Sequence, residues 1–193
     1  MRVATLGDSL AYGSGDETRK GIAGRLRGHD TVNLGVSGAE TSDLQMRMRQ
    51  ERVRREIANA DAIVLSIGAN DLFRSPHARD ETLRNPMRVA NQILDRIESI
   101  VREIHSINAR ARILILGGYN PVPRHLLAFM IDSYLGVWDK TLASRFEDDD
   151  RVSVVKVSDL VTPQRLSRYD NFHPGGDAYE AIAKRIALML RPD

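Results

Sequence analysis

The feature that most constrains the fold is an alternation between short apolar runs and longer amphipathic segments. Five runs rich in β-branched and aliphatic residues predict buried strands, at residues 3–6, 31–34, 62–67, 113–116 and 152–157. Parallel strands need long crossover connections, usually helices, and this alternation supplies them. We therefore predict an α/β fold built on a five-stranded parallel sheet. We expect the last three strands to be buried on both faces.

Three amphipathic segments predict the main crossover helices. The first starts at the capping-box signature Ser42-Asp43-Leu44-Gln45 and extends to about Asn59. The second covers residues 86–108, and the third begins after Pro174-Gly175-Gly176, which is incompatible with a helix interior. Residues at three- and four-residue spacing are expected to pack on the sheet: Leu44, Met48, Val53 and Ile57; Ile93, Ile97, Ile100, Ile104 and Ile107; Tyr179, Ile182, Ala183, Ile186, Met189 and Leu190.

Length and charge limit the classes of partner. The 193 residues carry 28 Lys+Arg against 26 Asp+Glu, a formal net charge of +2, which is too near neutral to indicate a nucleic acid or an acidic membrane. Arginines on the first predicted helix alternate with Glu51 and Glu56 and lack an aromatic platform, so we interpret them as a solvated face. We expect a single domain over residues 1–193 and no nucleic-acid partner; the sequence does not specify an oligomeric state.

The cysteine count and the hydropathy pattern narrow the chemistry and the compartment. Zero cysteines exclude a disulfide scaffold, a thiolate metal site and a cysteine nucleophile. No apolar run reaches 18 residues, so we expect no stable membrane insertion. Met1-Arg2 passes directly into a predicted strand instead of a signal peptide. We expect a cytoplasmic protein, or a secreted one if a leader has been removed.

Glycines and small polar residues follow three predicted strands, at the edge where open parallel sheets bind ligands. Gly7-Asp8-Ser9-Leu10 predicts a tight turn that lifts the Ser9 hydroxyl above the sheet. Gly35 would expose a backbone amide to an oxyanion, and Asn70 would donate a side-chain N–H. Each segment has a structural alternative, because such residues also form ordinary turns and helix caps.

A further segment, Asp170-Asn171-Phe172-His173-Pro174, precedes the last predicted helix. In a four-residue turn the outer Cα atoms lie within about 7 Å, so Asp170 can accept a hydrogen bond from His173 Nδ1 and leave Nε2 free as a base. A turn followed by proline is the structural alternative. Ser37 is a competing nucleophile in an elbow-like Gly35-Val36-Ser37-Gly38-Ala39, but only two short strands precede it, so we discount it.

These four segments together resemble the SGNH hydrolases, also called GDSL lipases or acylhydrolases. Gly7-Asp8-Ser9-Leu10, Asn33-Leu34-Gly35, Gly68-Ala69-Asn70-Asp71 and Asp170-Asn171-Phe172-His173-Pro174 match the family's four blocks in order. The resemblance implies a flavodoxin-like, three-layer α/β/α sandwich. It also implies a serine esterase with nucleophile Ser9, base His173 and orienting carboxylate Asp170. Ser9 N–H, Gly35 N–H and Asn70 would form the oxyanion hole, with no metal or cofactor.

The substrate is expected to be a small-molecule carboxylic ester or thioester. Tyr119, Pro121 and Phe129 belong to an apolar loop, residues 119–138, that would line an acyl pocket, although helix core is an equal alternative. The same family includes carbohydrate O-deacetylases, which stay open as an alternative. Two weaker readings are a metallophosphoesterase, using Asp8, Asn70, Asp71, Asp170 and His173 as ligands, and a noncatalytic module that binds acyl ligands.

Overall fold

Five parallel strands form one sheet in the computed structural model, which describes residues 1–73, 75–122 and 128–191. The strand order is β2-β1-β3-β4-β5, and every neighbouring pair is parallel. All five predicted strands are confirmed, with small changes at their ends. Their bounds are β1 Arg2–Gly7, β2 Asp30–Gly35, β3 Ala62–Ser66, β4 Arg112–Leu116 and β5 Val152–Val155.

Helices connect the strands and cover both faces of the sheet, which confirms the three-layer arrangement. The long predicted helix and the final one are present at nearly the expected positions. The helices are α1 Ser9–Tyr12, α2 Thr41–Met48, α3 Glu51–Ala58, α4 Ala69–Phe73, α5 Pro76–Arg84, α6 Pro86–Ile107, α7 Ala128–Ser144 and α8 Gly176–Met189. Short 3-10 turns cover Ala23–Arg25 and Pro163–Arg165.

The sheet separates two hydrophobic clusters because neighbouring side chains of a strand point to opposite faces. Ala4 and Leu6 of β1 contribute to the cluster that packs under α2, α3 and α6, whereas Val3 contributes to the cluster under α8. The predicted helix stripes lie in these clusters, apart from the partly buried Ile107 and Met189 that pack against them. The periodicity therefore located the core-facing side of each long helix.

Two sequence expectations need correction. Residues 42–59 form two helices, because Gln50 is extended (φ −72°, ψ 133°) and interrupts the hydrogen-bond ladder. The capping box uses Glu40 and Asp43 and starts α2 at Thr41. Strand β5 is also not buried on both faces: Ser153 and Val154 are only half-buried. It lies at the edge of the sheet, whereas β1 lies inside the sheet and is buried beyond Arg2.

Among the residues that the structure describes, no helix is long and apolar enough to cross a membrane.

Candidate active site

The turn between β1 and α1 presents Ser9 at the carboxyl edge of the sheet. Gly7 has a φ of +126°, and a Cβ at this position would lie 1.8 Å from the Ser66 carbonyl oxygen. Only glycine therefore allows β1 to end this close to β3. Asp8 caps α1, since its Oδ1 accepts a hydrogen bond from Leu10 N–H at 3.0 Å. Ser9 becomes the first residue of α1.

Asp8 is a buried carboxyl group that supports this turn. Its side chain also accepts a hydrogen bond from the Ser66 hydroxyl at 2.8 Å, and the residue is 4% exposed. Burial raises the pKa of Asp8 to about 6, because the charged form loses hydration that two hydrogen bonds only partly replace. Oδ1 of Asp8 is therefore used to hold the turn next to Ser9.

Asp170 and His173 form the contact that their spacing predicts. His173 Nδ1 lies 2.7 Å from Asp170 Oδ2, and Oδ1 accepts hydrogen bonds from the Phe172 and His173 amides at 2.9 Å each. Burial raises the pKa of Asp170, but the bonds from His173 and Phe172 outweigh it, so the pKa lies below its ordinary value. A carboxylate held this way fixes the imidazole and leaves Nε2 for another partner.

The loop after α1 brings the Ser9 turn and the His173 segment together. A Cβ on Gly15, whose φ is +82°, would lie 2.6 Å from His173 Cβ, so backbone meets side chain directly here. Tyr119 contacts the same segment through its hydroxyl, which donates to the Phe172 carbonyl at 3.3 Å. Burial raises the pKa of Tyr119, and the negative charges of Asp8 and Asp170 raise it further.

Asn70 and Gly35, the candidate oxyanion donors, both make hydrogen bonds within the protein. Asn70 is turned toward the loop after β2, where its Nδ2 donates to the Ala39 carbonyl at 2.9 Å. The Gly35 amide instead donates to Asn33 Oδ1 at 2.9 Å, so it is occupied in this structure. Gly35 has a packing role, because a Cβ there would lie 2.3 Å from Tyr12 N.

Gly38 is a second candidate oxyanion donor, which the strand-end pattern did not single out. It is exposed, has a φ of +79° and adjoins the Ala39 carbonyl that Asn70 binds. The sequence signal for it is the second glycine of the Gly35-Val36-Ser37-Gly38-Ala39 segment, which was considered only for the Ser37 hydroxyl. Asp71 fixes this arrangement, since it accepts hydrogen bonds from the Thr41 amide at 3.0 Å and from Arg96 at 3.2 Å.

The carboxylates considered for a metal site are already bound by protein donors. Asp8 accepts hydrogen bonds from Leu10 and Ser66. Asp71 accepts them from Thr41 and Arg96. Asp170 is bound by the His173 ring and by backbone amides. In residues 1–73, 75–122 and 128–191, no group of three or more His, Asp and Glu side chains could hold a metal ion.

The predicted acyl-pocket residues do not share one environment. The Tyr119 hydroxyl is bonded to Phe172, and Pro121 is half-buried. Phe129 is 78% exposed on α7 and so does not line a buried pocket. Residues 123–127 of the predicted segment 119–138 lie outside the described residues, and its second half is part of α7. Asn120 was missed as an organiser of this region: it is buried and donates to Asp132 Oδ1 at 3.0 Å.

An open groove of about 480 Å³ lies beside the Gly38 turn. Its walls combine apolar side chains, including the exposed Met46, with the polar side chains of Arg47 and Gln50. The lining residues are Val36, Ser37, Gly38, Ala39, Asp43, Met46, Arg47 and Gln50.

Comparisons with known proteins identify the family and the fold. The family model of the GDSL-like lipases/acylhydrolases matches residues 5–181. The uncharacterized protein YpmR of Bacillus subtilis (strain 168) is 29% identical over 208 residues, covering 99% of this chain and 82% of that protein. The structure of the lipase Lip_vut3 from a goat rumen metagenome has a TM-score of 0.80 at 22% identity, covering 97% of this chain and 96% of its own.

A family 3 carbohydrate esterase from Clostridium thermocellum shares the fold as well, with a TM-score of 0.69 at 17% identity over 100% of this chain and 99% of its own. At these identities the structural matches show a common fold. The family model covers the strand ends that carry Ser9 and Asn70 and the turn that carries His173. The chain therefore belongs to the GDSL-like lipase/acylhydrolase family and is a hydrolase.

Proposed function

We propose that the protein hydrolyses carboxylic esters or thioesters through an acyl-enzyme on Ser9, with His173 as the general base and Asp170 as its orienting carboxylate. The observation that carries the proposal is the 2.7 Å contact between His173 Nδ1 and Asp170 Oδ2. It fixes the tautomer in which Nε2 can accept a proton, and a serine hydroxyl is unreactive without such a base.

In the proposed first step, Ser9 Oγ attacks the carbonyl carbon while His173 Nε2 takes the hydroxyl proton. The carbonyl oxygen becomes an oxyanion, and the resulting imidazolium is stabilised by Asp170. When the C–O or C–S bond breaks, His173 returns its proton to the leaving alcohol or thiol. Water then attacks the acyl-enzyme by the same route, which releases the carboxylic acid and restores Ser9.

For the oxyanion we propose the Ser9 amide, the Asn70 side chain and the Gly38 amide. Gly35 was the sequence expectation, but its amide already donates to Asn33. The hydrogen bond from Asn70 to Ala39 supports Gly38, because it holds the Asn70 amide group next to the turn that follows Gly38.

A short acyl group on a polar alcohol, as in a carbohydrate O-deacetylase, is the second candidate. Two observations favour it over a long acyl chain. The ring of Phe129 is exposed and would not keep a long acyl chain out of water. The groove beside Gly38 has polar as well as apolar walls. The family 3 carbohydrate esterase of Clostridium thermocellum provides a precedent on this fold.

The test is hydrolysis of p-nitrophenyl esters from acetyl to palmitoyl, with and without chelator. Ser9→Ala is compared with Ser14→Ala, which removes a nearby hydroxyl that donates to Ser37 Oγ at 3.0 Å. We expect turnover that resists chelator, persists in Ser14→Ala and disappears in Ser9→Ala, with the acetyl ester preferred if the second candidate holds. Retained activity in Ser9→Ala would refute the proposal.

Two further outcomes would support the competing hypotheses, a metallophosphoesterase or a noncatalytic module. Activity on p-nitrophenyl phosphate that chelator abolishes and a divalent metal restores would indicate a phosphoesterase. A folded protein that binds acyl ligands, but neither turns over any ester nor reacts with a fluorophosphonate, would indicate a noncatalytic module.

A further inference from the structure

The segment that carries Asp170 and His173 is tied to the rest of the protein at both ends by one side chain, Glu17. Glu17 Oε2 accepts a hydrogen bond from the Gly176 amide at 2.8 Å, and Oε1 accepts one from the Arg168 amide at 3.2 Å. These two amides lie on either side of Asp170 and His173. A single carboxylate in the loop after α1 therefore closes the two ends of the segment against the loop that follows Ser9.

Within the segment, backbone hydrogen bonds maintain the shape of the turn. Ser167 N–H donates to the His173 carbonyl at 2.7 Å, and Gly175 N–H donates to the Arg165 carbonyl at 2.8 Å. These bonds fix residues 165–175 relative to one another but do not relate them to α1. Placement against the Ser9 turn comes from contacts with the α1 loop, among them both bonds of Glu17.

The loop that carries Glu17 is fixed by the hydrogen bonds and the ion pair of its neighbour Asp16. Its neighbour Asp16 is buried and accepts hydrogen bonds from the Thr18, Lys20 and Gly21 amides at 2.7 to 2.9 Å. The Arg25 guanidinium adds an ion pair with the same carboxylate, and the Arg25 side chain is 7% exposed. A loop fixed at this many points leaves the Glu17 backbone little freedom, so its carboxylate is a firm anchor.

The charge on Glu17 suits this role. Its bond from the Gly176 amide, which opens α8, lowers the pKa of Glu17 below its ordinary value. The carboxylate accepts from both amides and faces the positive end of a 14-residue helix. Gly175, at the helix cap, supplies no side-chain hydrogen bond of its own.

We propose that Glu17 is a positioning residue, which sets the distance and angle between His173 and Ser9 by clamping residues 168–176 onto the loop after α1. This inference rests on the proposed function. It predicts that loss of the clamp lowers kcat and leaves KM nearly unchanged, because Glu17 contacts the catalytic segment and not the substrate. A displacement of about 1 Å costs up to about 100-fold in rate, so we expect a loss of about 10- to 100-fold in Glu17→Ala.

The experiment measures kcat and KM of Glu17→Ala, Glu17→Gln and Asp177→Ala on the best p-nitrophenyl ester. Asp177 is an exposed acid in the first turn of α8, so its removal weakens the same helix end without touching the clamp. Gln keeps one good acceptor oxygen but turns an N–H₂ toward the other amide. We expect kcat to fall in the order wild type, Gln and Ala, with Asp177→Ala near wild type.

A spectroscopic readout independent of turnover is the low-field proton resonance of His173 Nδ1–H, assigned by its loss in His173→Gln. We expect it to shift or broaden in both Glu17 variants and to be unchanged in Asp177→Ala. The proposal is overturned if Glu17→Ala keeps kcat within about twofold of Asp177→Ala, or if folded Glu17→Gln has wild-type kcat and an unchanged resonance. Should Glu17→Ala fail to fold, Glu17→Gln alone decides. If the proposed function itself is wrong, the wild-type protein shows no turnover that depends on Ser9. That result differs from every outcome that concerns Glu17 alone.

Discussion

Burial of the Asp8 carboxyl group makes the stability of the protein depend on pH. Replacing Asp8 by Asn should remove this dependence. Asn has nearly the same shape, and its Oδ1 can still accept from Leu10 N–H and from the Ser66 hydroxyl, the two bonds that Asp8 makes. The substitution also leaves an amide N–H₂ to be accommodated. That cost does not depend on pH, so it shifts the whole stability curve without changing its slope.

The magnitude follows from the raised pKa. Burial raises the pKa of Asp8 from 3.8 to about 6, so the folded protein binds a proton here more tightly than the unfolded chain does. The difference corresponds to about 3 kcal/mol, at about 1.4 kcal/mol for each pH unit. A raised carboxyl pKa leaves stability intact below pH 3.8, and stability is lost as pH rises through 6. Between pH 4.5 and 7.5 the loss is about 2 kcal/mol.

The assay is urea unfolding of wild type and Asp8→Asn at several pH values from 4.5 to 7.5. Subtracting the two free energies of unfolding cancels the other titrating groups. We expect the variant to gain about 2 kcal/mol relative to wild type across this range. Asp148→Asn, which removes an exposed carboxylate, should show no such trend. A difference that stays constant with pH would refute the reasoning, since Asp8 would then ionise as freely as a surface carboxylate.

Other predictions concern the catalytic groups and the turn after β2. We expect Ser9→Ala and His173→Ala each to lower kcat by about 10⁴-fold or more, measured with the best ester, and wild-type far-UV circular dichroism would show that folding is not the cause. Asn70→Ala should lower kcat by about 10²- to 10³-fold with KM little changed; a loss below threefold would remove Asn70 from the oxyanion hole. Gly35→Ala should cost about 3 kcal/mol or more in urea unfolding because the added Cβ meets backbone, whereas Gly28→Ala, with a φ of +80° and open space, should cost about 1 to 2 kcal/mol; equal costs would contradict the packing argument.

The sequence by itself determined the layers of the fold and the parts of the site that are local. Short contiguous apolar runs identified all five strands, and an apolar periodicity of 3.6 residues, which helix geometry sets, identified the buried faces of α2, α3, α6 and α8. The contact between Asp170 and His173 was equally predictable, because three intervening peptide bonds keep the two side chains within reach of each other.

Only the tertiary structure decided which glycine adjoins Asn70 and what holds the catalytic segment. The bond from Asn70 to Ala39 spans 31 positions, and those from Arg168 and Gly176 to Glu17 span 151 and 159. Likewise, the half-buried Ser153 and Val154 of β5 follow from the place of this strand at the sheet edge. Periodicity and local turn chemistry carry no information at such separations, because these contacts form only when the strand order brings distant loops to the same edge of the sheet.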